Sequence, residues 1–212
     1  EFIPVSSTGH LIIAADLLSF SNNSSQVFEI FIQLGAILAV VIEYRKKISS
    51  TFVDLHSSKI AQNFTLHLII AFIPAALLGF LFHDLIKYFL FNPTTVAIAL
   101  ITGGIVIILI EKLLPERKII TVDHISKYQA LFIGLAQCLS LVPGVSRAGA
   151  TIMGGLIAGL DRKTSTEFSF FLAIPIIVAA SLFDLSQNFH LLNKSDLIIF
   201  TTGFVTAFIS AL

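Results

Sequence analysis

The chain has 212 residues, of which 56% are hydrophobic and 12% are charged, and its formal net charge at pH 7 is zero. Soluble domains carry about 25% charged residues, so this composition excludes an ordinary soluble domain and indicates a protein that lies in lipid. The zero net charge gives no indication of nucleic-acid binding, and the single cysteine, Cys138, excludes a disulfide framework.

Long apolar blocks recur along the chain. They run from Phe28 to Tyr44, from Phe64 to Phe82, from Thr94 to Leu113, from Phe168 to Leu185 and from Leu197 to Leu212. Each block is close to the roughly 20 residues that cross a hydrocarbon layer of ~30 Å as a helix. Because backbone groups in lipid need internal hydrogen-bond partners, all five blocks are predicted to be α-helices.

Most of the thirteen lysines and arginines lie in three segments. These are the loop Arg45–Lys59, the loop Lys112–Lys127 and the turn Arg162–Lys163. The positive-inside rule makes these segments cytoplasmic, and it places residues 21–26, 83–93 and 186–196 outside.

Two stretches are predicted to enter the membrane and return. Tyr128–Leu160 begins and ends at cytoplasmic segments, and Pro143-Gly144 at its middle would break a helix. Glu1–Phe20 carries Pro4 and Gly9 in a polar segment and leads to an external one. It is interpreted as the second half of a matching hairpin that enters from the opposite side.

The segments that follow the two hairpins have similar sequences, FEIFIQLGAILAVV from Phe28 and EFSFFLAIPIIVAA from Glu167. With their opposite orientations they predict an inverted-topology repeat, with repeat 1 over residues 1–113 and repeat 2 over residues 128–212. Such proteins place their site near the midplane, where broken helices meet.

The predicted fold is therefore all-α: a single polytopic transmembrane domain over residues 1–212, with two re-entrant helical hairpins. Since the chain starts at Glu1 without a methionine and ends within a helix at Leu212, we expect a fragment truncated at both termini.

Two polar segments lie at the breaks of the hairpins, and we name Glu1–His10 the first polar segment and Pro143–Thr151 the second. The first offers a carboxylate, hydroxyls and an imidazole, on Glu1, Ser6, Ser7, Thr8 and His10. The second offers a guanidinium, hydroxyls and glycines that admit a ligand to the backbone, at Gly144, Ser146, Arg147, Gly149 and Thr151.

Arg147 cannot lose its proton, and a charge at membrane depth is costly unless an anion lies beside it. Its planar guanidinium suits phosphate oxygens, and a helix that restarts after Pro143-Gly144 directs free N–H groups to the same place. The second polar segment is thus predicted to bind an anion, either a protein carboxylate or a ligand phosphate.

Glu1 would repel a phosphate unless a cation lay between them. Mg²⁺ and Ca²⁺ both bind carboxylate, hydroxyl and phosphate oxygens, so Glu1 is the predicted metal ligand. His10 can exchange a proton near neutral pH. The two segments together predict a metal-assisted site for phosphoryl chemistry.

Structural roles compete with these functional ones. Serine and threonine at helix starts are commonly caps, which applies equally to Ser6 and Thr8. His10 alone is more often a satisfied polar group than a catalyst, and Arg147 alone is compatible with pairing to a glutamate. The occurrence of both groups on two opposed hairpins favours a shared functional site.

The segments EFIPVSSTGH and PGVSRAGATI closely resemble the two signature segments of the undecaprenyl-diphosphatase family, also called the bacitracin-resistance proteins. The resemblance extends through FEIFIQLGAILAVV, LFHDLIKYFLFNP and EFSFFLAIP, so it covers essentially the whole chain. Two signatures in order, one in each half of the chain, make it specific.

This resemblance implies a multi-pass enzyme of the bacterial plasma (inner) membrane. Its reaction is the hydrolysis of undecaprenyl diphosphate to undecaprenyl phosphate and inorganic phosphate. The reaction recycles the lipid carrier of cell-wall synthesis, and extra enzyme confers resistance to bacitracin, which sequesters the substrate. The resemblance also implies a divalent cation, two re-entrant hairpins and a homodimer. The expected partners are a polyprenyl diphosphate lipid and membrane lipids.

The resemblance also assigns roles to residues. Glu1, Ser7, His10 and Arg147 correspond to catalytic groups, with Glu1 as the second glutamate of an acidic motif that binds metal. Ser146, Arg147 and Thr151 correspond to the phosphate-binding segment, and Ser6, Thr8, Gly144 and Gly149 are predicted to bind the substrate phosphate with them. The attacking group is left open between Ser7 activated by His10, water, and His10 itself.

The chain departs from the family pattern in two places. The acidic motif normally has another glutamate four residues before Glu1, and the given sequence starts after that position. Ala148 stands where the family usually has serine, which puts the need for a hydroxyl there in doubt.

A transporter or flippase of a polyprenyl phosphate lipid is the alternative function, because inverted repeats are also typical of transporters. The clustering of Glu1, Ser7 and His10 favours hydrolysis, which needs such groups, whereas translocation does not.

Overall fold

The computed structural model describes residues 2–17, 23–115, 121–188 and 196–212, and all regular elements within these ranges are helices. The α-helices are α1 Ser7–Leu17, α2 Asn23–Glu43, α3 Arg45–Val53, α4 Lys59–Leu81, α5 His83–Leu90, α6 Pro93–Leu113, α7 Lys127–Gln137, α8 Arg147–Ile157, α9 Arg162–Asn188 and α10 Asp196–Ala211. Short 3-10 turns cover Asp54–His56, Val122–His124 and Cys138–Leu141. The predicted all-α class is confirmed.

The five apolar blocks coincide with parts of α2, α4, α6, α9 and α10, and no block extends more than one residue beyond its helix. Three of these helices, α4, α6 and α9, are long and apolar enough to cross a membrane, and α2 and α10 contain shorter apolar runs. On α6, the side chains of Ile98 and Ile101 are 58% and 64% exposed. Extended apolar surface of this kind is costly in water and favourable in lipid, as expected for a membrane protein.

Two segments interpreted as loops contain helices of their own. The polar helix α3 follows α2 directly, and the short helix α5 lies between α4 and α6. On α5 the side chains of Leu85, Tyr88 and Phe89 are exposed. Neither helix is apolar and long enough to produce a spanning pattern in the sequence.

The chain groups into two compact units, which are described separately. Unit 1 contains residues 1–10 and 51–172, and unit 2 contains residues 11–50 and 173–212. In unit 2, α2 packs along α10: a Cβ on Gly35 would contact the carbonyl oxygen of Phe204, and the rings of Phe28 and Phe200 meet edge to face. The repeats predicted over residues 1–113 and 128–212 stay a prediction.

In unit 1, α7 packs against α4 with both helices running in the same direction. A Cβ built on Gly134 would lie 2.5 Å from the carbonyl oxygen of Ala71, and one built on Gly79 would lie 3.3 Å from Cδ2 of Leu141. Only a residue without a side chain allows α7 to approach the α4 backbone this closely.

Helices α7 and α8 form an antiparallel pair, which we name the α7–α8 hairpin. Nε2 of Gln129 donates to the carbonyl of Ala158 at 3.1 Å, and a Cβ on Gly154 would lie 2.7 Å from Cβ of Ala136. The hairpin turns at residues 142–146, so the predicted helix break at Pro143-Gly144 is confirmed.

Gly134→Ala is expected to destabilise the protein by about 1–3 kcal/mol, because the new methyl group would fall on backbone atoms of α4. A lower thermal midpoint in detergent would show the effect. Gly103→Ala on α6 is the matched control, since nothing lies within 4 Å of its Cβ position, and its midpoint should be unchanged or higher. Equal midpoints for both variants would contradict the close contact between α4 and α7.

Candidate functional site

The two polar segments both belong to unit 1 and touch each other. A Cβ built on Gly9 would lie 3.4 Å from Cα of Gly144, and one built on Gly149 would lie 3.5 Å from Cβ of Pro4. Segments that are far apart in the sequence therefore lie in contact. Glu1, the predicted metal ligand, lies outside the described residues.

The start of α6 supports this contact. Val96 is fully buried, and its Cγ1 would lie 3.3 Å from a Cβ on Gly9. Gly144 has φ +95°, and a Cβ there would lie 2.7 Å from the Val96 carbonyl oxygen and 2.9 Å from Cβ of Ala99. Gly144 is therefore required twice, for a left-handed backbone conformation and for space against α6.

Ser6 ends the non-helical part of the first polar segment and caps α1. Its Oγ accepts a hydrogen bond from the Gly9 N–H at 3.2 Å, and it is 4% exposed. Its φ is +58°, a left-handed value that is uncommon for residues other than glycine. Strained backbone of this kind is concentrated at functional sites. Of the two candidate caps, Ser6 takes this role, and Thr8 lies within the first turn of α1, next to Ser7.

The ring of His10 is oriented by the same serine. Its Nδ1 lies 2.8 Å from the carbonyl oxygen of Ser6. A carbonyl oxygen can only accept, so this contact assigns the proton to Nδ1. In the neutral ring the lone pair then lies on Nε2. The exposed His10 therefore has a nitrogen that can accept a proton or attack an electrophile.

The second polar segment opens α8 with a serine cap. Oγ of Ser146 accepts a hydrogen bond from the Gly149 N–H at 3.0 Å, and Arg147 is the first residue of the helix. This hydroxyl is thus engaged within the protein. A direct contact of Ser146, Gly144 or Gly149 with phosphate stays a prediction.

Arg147 is held by Ser169 of α9. Its Nη1 donates to the carbonyl oxygen of Ser169 at 3.1 Å and to Oγ of Ser169 at 3.4 Å. Thr151, which is fully buried, lies 2.6 Å from the same Oγ and donates to the Arg147 carbonyl at 2.9 Å. Thr151 and Ser169 therefore orient the guanidinium, and a contact of Thr151 with phosphate stays a prediction.

The described residues do not by themselves form a Mg²⁺ or Ca²⁺ site. Within the described ranges, no group of three or more His, Cys, Asp or Glu side chains is close enough to hold a metal ion. The described part of the site provides hydroxyls, an imidazole and a guanidinium, whereas these cations favour carboxylate oxygens.

Comparison with known proteins agrees with the two sequence signatures. The sequence model of the family described as bacitracin resistance protein BacA matches residues 1–212. The chain belongs to this family. It is 53% identical to the undecaprenyl-diphosphatase of Methylobacillus flagellatus over 217 residues, covering 100% of this chain and 80% of that protein.

Two other relatives give the same result. The undecaprenyl-diphosphatase of Nitrosospira multiformis is 52% identical over 212 residues, which cover 100% of this chain and 78% of that protein. The undecaprenyl-diphosphatase of Nitrosomonas europaea is 53% identical over 212 residues, which cover 100% of this chain and 77% of that protein. The family resemblance inferred from EFIPVSSTGH and PGVSRAGATI is confirmed.

Sequence reasoning missed Ser169. The signal was present, because Ser169 is a hydroxyl within the apolar run EFSFFLAIP, and polar residues inside membrane spans are commonly functional. Its partner was not predictable, since Arg147 is separated from it by most of α8, a turn and the start of α9.

Ser169→Ala is expected to destabilise the protein by about 1 kcal/mol, because Thr151 and Arg147 both lose a hydrogen-bond partner. Ser165→Ala is the matched control one turn earlier on α9. Ser165 is also buried, but its Oγ has no hydrogen-bond partner in the described part of the chain, so its loss should be neutral or stabilising. The thermal midpoints of the two variants in detergent measure these changes in stability. A midpoint for Ser169→Ala at or above that of Ser165→Ala would refute the bridging role.

Proposed function

We propose that this protein hydrolyses undecaprenyl diphosphate to undecaprenyl phosphate and inorganic phosphate. The observation that supports the proposal is the contact between the two polar segments, at the starts of the helices that carry His10 and Arg147. It is supported by relatives that are 52% and 53% identical and are named undecaprenyl-diphosphatase. The reaction recycles a lipid carrier for cell-wall synthesis and accounts for bacitracin resistance.

Arg147 binds the diphosphate in this proposal. Its guanidinium can donate two parallel hydrogen bonds to phosphate oxygens, and it stabilises the charge that develops on the transferring group. The hydrogen bonds to Ser169 already hold part of the guanidinium in place. The side chain therefore loses less conformational entropy when substrate binds.

Nε2 of His10 acts either as the base that activates the attacking group or as the attacking group itself. When water attacks, Nε2 takes its proton, the bond from phosphorus to the bridging oxygen breaks, and the lipid monophosphate leaves. When Ser7 attacks, Nε2 takes the hydroxyl proton, the same bond to the bridging oxygen breaks as the lipid monophosphate leaves, and water then hydrolyses the phosphoserine to inorganic phosphate. When Nε2 itself attacks, the lipid monophosphate leaves as the bond to the bridging oxygen breaks, and water then hydrolyses the phosphohistidine to inorganic phosphate. Trapping of a phosphoserine or a phosphohistidine separates these three routes.

We also propose a multi-pass topology in the bacterial plasma membrane, with the α7–α8 hairpin re-entering from the cytoplasmic side. Helices α7 and α8 have 11 residues each, or about 17 Å at 1.5 Å per residue, too short to cross ~30 Å. Because they are antiparallel, both ends of the hairpin lie on one side, next to Lys127 and Arg162. The first polar segment and α1 would form the opposed half of an inverted repeat, and a homodimer stays the predicted assembly.

A divalent cation, Mg²⁺ or Ca²⁺, is proposed for the complete site, with Glu1 as its predicted ligand. The support is the charge of the substrate, because a carboxylate tolerates a nearby diphosphate only across a cation. The roles of Arg147 and His10 described above do not depend on this ion.

Phosphate release from undecaprenyl diphosphate in detergent tests the function. We expect turnover by the wild-type protein, a loss of about 10²–10³ in Arg147→Ala, and a loss on chelation that added Mg²⁺ or Ca²⁺ restores. A micelle has no two sides, so translocation alone releases no phosphate. Absence of release, with lipid movement in vesicles, would support the flippase instead.

His10→Asn tests the assigned ring nitrogen. The asparagine amide keeps a donor near the position of Nδ1, so the contact with Ser6 is retained while Nε2 is lost. Turnover should fall by about 10²–10⁴ with an unchanged thermal midpoint. His56→Asn, an exposed histidine outside the two polar segments, should leave both values unchanged. Full turnover of His10→Asn would remove Nε2 from the mechanism.

A further inference from the structure

Two neighbouring residues of α9 contact the two polar segments. Ser169 holds Arg147 of the second polar segment, with its carbonyl oxygen 3.1 Å from Nη1. The next residue, Phe170, packs against Phe2 of the first polar segment. The two ring centroids are 5.2 Å apart and the ring planes meet at 72°, which is an edge-to-face contact. Both polar segments are therefore attached to the same turn of one helix.

Other contacts fix this turn of α9 within unit 1. The ring of Phe171, which is buried, meets the ring of Phe64 of α4 edge to face, with the centroids 5.1 Å apart. One turn before Ser169, the side chain of Ser165 lies against α8, where a Cβ on Gly155 would fall 2.6 Å from its Oγ. Because successive helix residues point about 100° apart, contacts with α4 and α8 together set the rotation of α9. The direction of the Phe170 side chain is set with it.

The first polar segment has little regular structure before α1. Residues 2–6 form no helix, and the Val5 N–H donates to the Ile3 carbonyl at 2.7 Å. The side chains of Ile3 and Val5 are exposed, whereas Phe2 and Pro4 are half-buried and Ser6 is buried. This alternation is that of an extended chain with one face on the protein. The position of the stretch therefore depends on its inward side chains.

These inward side chains rest on two helices. Phe2 packs on α9, and Cβ of Pro4 would lie 3.5 Å from a Cβ on Gly149 of α8. Ser6 follows directly and caps α1, and its carbonyl oxygen orients the ring of His10. A shift of Phe2 would therefore be passed on to the start of the helix that carries His10.

We propose that Phe170 is a positioning residue. Through Phe2 it sets the place of the first polar segment relative to Arg147, which the neighbouring Ser169 holds. The proposal rests on the proposed function for the reaction that this alignment serves. A displacement of about 1 Å between reacting groups costs on the order of 10²-fold in rate, so attachment of both segments to one rigid turn has a direct consequence for turnover.

A purely structural role is the competing explanation. Aromatic pairs of this geometry stabilise proteins wherever they occur. Unit 2 contains such a pair outside the two polar segments, since the rings of Phe28 and Phe200 lie 5.5 Å apart at 75°. Loss of that pair should lower the thermal midpoint and affect neither the polar segments nor turnover. Phe28→Leu is therefore the matched control for Phe170→Leu.

The position of the first polar segment can be measured without turnover. In a Cys138→Ser background, Pro4→Cys and Gly149→Cys place two thiols on Cβ atoms 3.5 Å apart, which is within the range of disulfides. We expect mild oxidation to join them. Adding Phe170→Leu should slow this reaction about 10-fold, because the two thiols then meet less often. Adding Phe28→Leu should leave the rate unchanged.

Phosphate release from undecaprenyl diphosphate in detergent measures the consequence for the reaction. Phe170→Leu should lower kcat about 10-fold or more and leave KM nearly unchanged, because Arg147 and Ser169 remain. Phe2→Leu should have the same effect, and the double variant should lose no more than the weaker single variant, since both changes remove one contact. Phe28→Leu should keep the wild-type kcat. Phe170→Met provides the same test if the leucine variant does not fold.

The two readouts allow the proposed function and the role of Phe170 to fail separately. If the wild-type protein releases no phosphate, the proposed function fails and the disulfide rate decides the role of Phe170. That role is overturned by an unchanged disulfide rate in Phe170→Leu, by absence of the disulfide without it, or by an unchanged kcat in an active protein. Losses that multiply in the double variant, or failure of both Phe170 variants to fold, overturn it in favour of a structural role.

Discussion

The contact between Gly9 and Gly144 is the constraint on which the site depends. Interrupted helices expose backbone N–H and C=O groups, and hydrocarbon offers no partners for them. Glycine at both positions lets the two interruptions approach until they cover each other, with Val96 of α6 against both. The serine caps Ser6 and Ser146 satisfy N–H groups at the two helix starts. These two N–H groups are therefore satisfied within the protein.

The same contact gives the site its chemistry. Each helix starts where the segments meet, so the starts of the helices that carry His10 and Arg147 lie in contact although more than half of the chain separates the two residues. Each is oriented by a bond to a serine: His10 by the carbonyl of Ser6 and Arg147 by Ser169. Neutral and charged groups are thereby fixed before substrate arrives, which is the condition for electrostatic stabilisation of a transition state.

Local sequence patterns were sufficient to predict much of the fold. The length of each apolar block identified the five long helices, because the thickness of the hydrocarbon layer sets the length of a membrane-spanning helix. Pro143-Gly144 identified a break, because proline removes a donor and glycine admits a positive φ. The pattern did not reveal α3 and α5, because short helices beside a membrane need no spanning run of apolar residues.

Composition and residues close together in the chain were enough to predict the membrane class, the apolar helices, the α7–α8 break, the family and the two polar segments. The left-handed conformation of Ser6 and the hold of Ser169 on Arg147 could not be predicted in this way. These features depend on which helices pack together, and the side chains of one helix do not encode the identity of its neighbour.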